Sequence, residues 1–200
     1  NHTIRRVTAS GVVTTVAGTA GSRGTIDGTG RSARFNQPDG VAVDGSGNIF
    51  VADYFNYTIR KITASGLVTT VAGSPGERGS ADGTGAAALF RGPSGPAVDG
   101  SGNVFVADTD NHTIRKITAS GVVTTVAGRA SQFGRADGAG VDVRVDAPLG
   151  VAVDSSGNVF VVDTFNNTIR KGLPIVEARI TTAPQSQTVV VGDIVTLIVI

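Results

Sequence analysis

The sequence predicts an all-β fold: an open arc of four-stranded antiparallel β-propeller blades, each built on a 55-residue repeat. Three observations carry this. The first is composition. The chain has 29 Val, 23 Thr and 13 Ile against 5 Leu and 2 Glu. β-Branched side chains lose rotamer freedom in a helix and fit a pleated surface. A helical bundle is therefore excluded and a βαβ fold disfavoured. The 28 Gly follow no three-residue period, which excludes collagen, and 40% hydrophobic residues are too many for a disordered chain. The second observation is internal repetition, and the third is that the short apolar segments of each repeat are apolar on both faces.

The repeat is read directly. Asn1-His2-Thr3-Ile4-Arg5 returns as Asn56-Tyr57-Thr58-Ile59-Arg60, as Asn111-His112-Thr113-Ile114-Arg115 and as Asn166-Asn167-Thr168-Ile169-Arg170, always 55 residues on. Residues 56–73 and 111–128 differ at only two positions, which are 57/112 and 67/122. Such near-identity marks duplication of one structural unit.

Each unit resolves into four strand-length segments. In the second unit these are a, 40–44 (GVAVD); b, 48–53 (NIFVAD); c, 58–63 (TIRKIT); and d, 68–73 (VTTVAG). Asp44-Gly45-Ser46-Gly47 links a to b, and Ala64-Ser65-Gly66 links c to d. Links this short make neighbouring strands antiparallel. In segment b, Ile49 and Val51 point one way while Phe50 and Ala52 point the other. Both faces need cover. Tandem sheets fanned about an axis supply it, each packing on its two neighbours.

The pattern PxGVAVDxxGNxFVADxxNxTIRKI, standing at 38–62, 93–117 and 148–171, resembles the NHL repeat. The resemblance covers about residues 1–172 and implies propeller blades that serve mostly as binding surfaces. Two departures stand out. Pro96 replaces the Val found at 41 and 151, and this predicts that the third inner strand starts late. The last copy, Arg170-Lys171-Gly172, lacks a following VTTVAG, so the propeller is expected to end there. The chain holds too few blades to close alone, since closed propellers use about four to eight. The sequence starts at Asn1 without any Met, and the missing blades are expected upstream in a longer chain.

Residues 173–200 read as a linker and, from about 178, as the opening strands of a bacterial immunoglobulin-like domain, which they resemble. Twenty-odd residues are too few for such a sandwich, which takes about 100. An alternative reading pairs 175–182 with the last blade as its outer strand.

Alternate connections of a meander lie on opposite edges. The long d–a links, 19–39, 74–94 and 129–149, are therefore expected to build one elaborated face together with the b–c loops. The repeats separate what is constant from what varies there. Asp53, Asp108 and Asp163, with Asn56, Asn111 and Asn166, are constant and read as caps of the b–c turn. Tyr54, Phe55 and Tyr57, Asp110 and His112, and Phe165 and Asn167 are the side chains of the varying positions best placed to touch a ligand. Asp27, Asp82 and Asp137, each in a DGxG stretch, read as N-caps of a single helical turn. The stretch is no phosphate loop, because no Lys follows it. Asp44, Asp99 and Asp154 start Asp-x-x-Gly-Asn hairpin turns rather than calcium loops, lacking the Gly and distal Glu of that motif.

The chemistry that the composition leaves is limited. Seventeen basic and 16 acidic residues give a net charge of +1, which is no footprint for nucleic acid. Basic pairs at 60–61, 115–116 and 170–171, with Arg5-Arg6, read as solvated outer strands. No apolar run is long enough to span a membrane. No Cys is present, which excludes disulfides and thiol chemistry. His2 and His112 with Glu77 and Glu177 do not make a metal or catalytic set, so no catalytic residue, metal or cofactor is expected. The expected function is a non-catalytic module that binds protein or glycan, in a bacterial secreted or cell-surface protein with further domains. Two alternatives are a propeller lyase or lactonase with its ligands in upstream blades, and an RNA-binding propeller.

Overall fold

The computed structural model describes residues 1–172, and the expectations for 173–200 lie outside them. The first two strands, β1 (Thr3–Val7) and β2 (Val13–Gly18), form a two-stranded sheet, the c and d strands of a first blade. After β3 (Gly28–Thr29) come β4 (Pro38–Val43), β5 (Ile49–Asp53), β6 (Thr58–Ile62) and β7 (Leu67–Ala72). The same run repeats as β8 (Gly83–Thr84), β9 (Pro93–Val98), β10 (Val104–Asp108), β11 (Thr113–Ile117) and β12 (Val122–Gly128). The fourth blade holds β13 (Pro148–Val153), β14 (Val159–Asp163) and β15 (Thr168–Gly172). No α-helix occurs among the described residues. The sheets are antiparallel meanders in the order expected, β4-β5-β6-β7 and β9-β10-β11-β12.

Each blade gains something the sequence reading lacked. The order in the second blade is β3-β7-β6-β5-β4, and in the third β8-β12-β11-β10-β9. The two-residue strands β3 and β8 come from the d–a links. Each link thus travels to the outer edge of the next blade before turning back to start its a strand. The long links thus do more than build up one face: they also cover the outer edge of a blade. The reason is backbone satisfaction, because an outer d strand would otherwise present a free row of N–H and C=O groups.

The returning half of each link fills the gap between blades. Ala33 and Phe35 are fully buried between Ile4 and Ala17 of the first blade and Val51, Ile62 and Val68 of the second. Ala88 and Phe90 do the same between Phe50, Ala52, Ile59 and Ala72 on one side and Val104, Val106, Ile117 and Val123 on the other. The alternation of segment b is realised here. Val51 packs toward the first blade, while Phe50 and Ala52 pack toward the third. Strand period two therefore produces two cores per blade rather than one.

Inner strands meet near the axis. A Cβ built on Gly95 would lie 2.2 Å from the Leu149 carbonyl oxygen and 2.6 Å from Gly150 Cα. Only glycine permits that approach of β9 to β13. Pro96 does not delay β9, which begins at Pro93 as β4 begins at Pro38. Instead the ladder slips: Phe105 pairs Ala97 and Ala107 pairs Ser94, leaving Val106 without the partner that Val51 has in Val41. The a strands of the second and fourth blades also bulge, at Pro38/Gly40 and Pro148/Gly150, and in the third blade the irregularity extends over Pro96, which has no N–H to give the ladder.

Candidate functional site

One charged cluster positions every b–c loop. Asp108 is fully buried at the end of β10, where its Oδ2 accepts hydrogen bonds from Arg115 (2.8 Å) and from Asn111 Nδ2 (2.7 Å). Its Oδ1 accepts the backbone N–H of Arg91 at 2.7 Å, which ties the loop to the incoming link. Arg115, also fully buried, spends its other donors on the carbonyls of Leu89 and Ala81 and on Asp82, and its guanidinium sits 5.0 Å from the centre of the Phe90 ring. Asp53, Asn56, Arg60 and Asp27 repeat the arrangement in the second blade. Asp163, Asn166, Arg170 and Asp137 repeat it in the fourth.

Three sequence expectations change with this cluster. The Asp53, Asp108 and Asp163 carboxylates do not cap the short 3-10 turn that follows each of them; they brace it against the link. Asp27, Asp82 and Asp137 do not cap the 3-10 turns at Gly30–Ser32, Gly85–Ala87 and Gly140–Asp142. They sit ahead of the N-cap and pair with the c-strand arginines. The arginines, in turn, are not a solvated basic arc: Arg60 and Arg115 are 1% and 0% exposed. A buried guanidinium needs its charge and its donors matched, and the DGxG carboxylates and link carbonyls supply both. Burial pushes the Asp53 carboxyl up and lifts Asp108 to about 6, against the lowering effect of the donors around them.

On the opposite edge, Asp44 accepts the N–H groups of Ser46 and Asn48 on Oδ1 and the Asn48 side-chain amide on Oδ2. Asp99 and Asp154 do the same. The amide bond from Asn48 holds the Asp44 carboxyl below its ordinary range. These carboxylates are engaged in their own turns.

The varying positions lie on the b–c edge, and the fold sorts them. The 3-10 turn of each b–c loop ends on a left-handed residue: Tyr57 (φ 59°), His112 (φ 56°) and Asn167 (φ 56°). Such a backbone costs a non-glycine residue about 1–2 kcal/mol. It aims the chain into strand c, so these three positions have a backbone duty besides any contact they make. Tyr54 is half-buried, packs edge-on to Phe55 at 4.9 Å and reaches over the third blade, where its hydroxyl lies 3.4 Å from Asp110 Oδ1. Burial, with the Asp110 charge adding to it, raises the Tyr54 hydroxyl pKa. His112 accepts the Ala147 N–H on Nδ1, with Asp146 at 3.3 Å and the Phe133 ring beside it. Phe165 and Asn167 stand exposed on the fourth blade, apart from the rest.

Tyr54 and Phe55 border a cleft of about 440 Å³ with His2, Gln37 and Asp39. Sequence reasoning missed these last three. The signal was present in the repeats, because positions 37, 92 and 147 read Gln, Gly, Ala and positions 39, 94 and 149 read Asp, Ser, Leu. His2 Nδ1 accepts the Gln37 N–H at 3.0 Å, and Asp39 accepts the Ser94 hydroxyl. The result is an aromatic pair beside a carboxylate, an amide and an imidazole. Among the described residues no group of three or more His, Asp or Glu side chains gathers to hold a metal ion. No helix among them is long and apolar enough to cross a membrane.

Comparison with known proteins agrees with the geometry. The NHL repeat family matches residues 35–62 and 90–117. NHL repeat-containing protein 2 of Gallus gallus is 39% identical over 93 residues, which are 46% of this chain and 12% of that protein. The chain spans 16% and 12% of the lengths of the curated relatives it matches. Among solved structures, a structural genomics protein from Bacteroides thetaiotaomicron superposes with a TM-score of 0.69 and 25% identity over 86% of this chain and 42% of its own. An auxiliary nutrient binding protein from the same organism superposes with a TM-score of 0.68 and 22% identity over 85% and 42%. Residues 35–62 and 90–117 match the NHL repeat, and the sheets they belong to are folded as propeller blades.

Proposed function

We propose that these blades form a non-catalytic binding module that takes a protein or glycan ligand on the b–c edge of the propeller. The observation that carries this is the convergence of Tyr54, Phe55 and Asp110 with His2, Gln37 and Asp39. They come from three blades and stand on one rim. Recognition sites pair apolar, often aromatic, surface with a few convergent polar groups, and this rim offers both. The blades below it are held by buried ion pairs and inter-blade cores, so the rim is presented with little ordering cost. The nutrient binding protein from B. thetaiotaomicron supports the reading at the level of fold alone. A secreted or cell-surface setting goes with it.

Glycan and peptide arrays probed with the complete chain test the proposal. Tyr54→Ala, Phe55→Ala and Asp39→Ala each weaken capture by about tenfold or more, which corresponds to about 1.4 kcal/mol. Lys61→Ala, on the outer part of the second blade, leaves it unchanged. Equal loss from Lys61→Ala, or chemical turnover of the captured ligand, would overturn it.

A further inference from the structure

The rim carries the same small frame twice. Gln37 and Ala147 stand at equivalent places in their links, and both take the left-handed backbone, at φ 49° and 45°. Each aims its N–H at an imidazole: Gln37 at His2 Nδ1 (3.0 Å) and Ala147 at His112 Nδ1 (3.1 Å). A ring nitrogen that accepts carries no proton, so the neutral imidazole holds its proton on Nε2. Both histidines are thereby set as donors with a fixed orientation. Tyr57 stands at that place in the blade between them.

The His2 frame belongs to the cleft of Tyr54 and Phe55. Around the His112 frame, two changes between repeats supply the same chemistry. Phe133 stands where residues 23 and 78 are Arg, and Asp146 where residues 36 and 91 are Asn and Arg. The Phe133 ring lies 5.4 Å from the His112 ring, tilted by 44°, and Phe133 is 67% exposed. Folding gains little from so exposed a ring. Asp146 Oδ1 is 3.3 Å from His112 Nδ1, which has no proton to give it, so the carboxylate keeps acceptor capacity. Asp110 joins the two clusters. It meets the Tyr54 hydroxyl at 3.4 Å and shares its b–c loop with His112.

We propose that His112, Phe133 and Asp146 form a second subsite, that it continues the Tyr54 cleft along the rim, and that the two together take one neutral oligosaccharide; this rests on the rim being a binding face. The chemistry favours a sugar over a peptide. A pyranose has an apolar C–H face for an aromatic ring and hydroxyls that donate and accept at once. Each cluster has an aromatic ring, a fixed N–H donor and a carboxylate. A peptide that adds as a strand needs a free sheet edge. Here the backbone N–H groups are engaged within the edge itself: Phe55 with Asn36, Tyr57 with Tyr54, Asp110 with Arg91 and His112 with Thr109. Asp39, Asp110 and Asp146 put carboxylates along the path, which disfavours an anionic chain.

An array of neutral and uronate-containing oligosaccharides, with a dodecapeptide library beside it, is probed with the complete chain. Titration calorimetry then compares the best neutral hexasaccharide with its disaccharide. The hexasaccharide binds about a hundredfold or more tightly than the disaccharide, because two linked contacts act together. Phe133→Ala and Asp146→Asn each weaken the hexasaccharide about tenfold or more. Phe133→Ala keeps the urea midpoint of the native chain, since the ring is exposed, and still binds the disaccharide. Hexasaccharide binding that Tyr54→Ala weakens and Phe133→Ala leaves unchanged would remove the second subsite and leave the rim as a binding face. Capture of peptides or uronate chains without any neutral glycan would overturn the ligand class alone. Capture of nothing on any of the three would overturn both readings.

Discussion

Replacing Arg115 by Met removes a cation from a fully buried cluster while keeping its stem. In the native protein Arg115 makes four hydrogen bonds, to Asp108, Asp82 and the carbonyls of Leu89 and Ala81, all between 2.8 and 2.9 Å. Met makes none of them. What dominates is the partner left behind, because Asp108 has no exposure and loses the one cation that pairs with it among the described residues. Removing one member of a buried pair costs about 3–5 kcal/mol. With a urea slope of about 2 kcal/mol per M, the unfolding midpoint drops by about 2 M at pH 7. The same substitution at Arg170 is the internal control. Its partner Asp163 is buried as fully as Asp108, but Arg170 is 17% exposed and its other partner, Asp137, 93% exposed, so water reaches the cluster and a smaller midpoint shift is expected. The pH dependence adds a signature. Burial already lifts Asp108 to about 6 from the ordinary 3.8, and removing Arg115 lifts it further. A carboxyl whose pKa is higher in the folded state favours folding when protonated, so the Arg115→Met deficit shrinks as pH falls from 7 toward 4. Equal midpoint shifts for Arg115→Met and Arg170→Met, or a deficit that grows on acidification, would refute the reasoning.

Phe90→Ala is expected to cost about 3–5 kcal/mol by emptying the core between the second and third blades, whereas the exposed Phe165→Ala stays within about 0.5 kcal/mol; calorimetry of the two variants side by side checks this. For Asp108→Asn the stability of the native protein relative to the variant falls as pH rises from about 4 to about 6 and levels off above, read from urea midpoints across that range. Asn48→Ala removes the amide that holds Asp44 low, so the Asp44 carboxyl titrates at higher pH, as carbon-detected NMR would show; no movement would mean that the turn does not depend on that bond. Gly73→Ala would bring a Cβ within 2.4 Å of the Tyr57 carbonyl oxygen at φ +93°, and a large loss of stability is expected, while Gly45→Ala in an open turn is tolerated.

The sequence was enough to determine the sheets. Strand lengths, the antiparallel order and the two-sided burial of Ile49–Asp53 follow from period-two alternation and short turns, which act between near neighbours. The rim was half legible. Comparing repeats pointed to Tyr54, Phe55 and Asp110, which the fold does bring to one edge. Asp39 and Gln37 escaped because they sit at the end of long links, where sequence spacing says nothing about direction.

Only the tertiary structure decided the roles of the charged residues. Arg60 and Asp27 are 33 positions apart, and their pairing depends on a link that returns along the outer edge of the next blade. By itself TIRK reads as a solvated strand. Once the link wraps it, the same arginine is buried and becomes the peg that fixes the loop above. Local pattern sets which residues form a strand. The path of the connections sets what each strand is covered by, and that coverage determines whether a charge lies in water or holds the blade together.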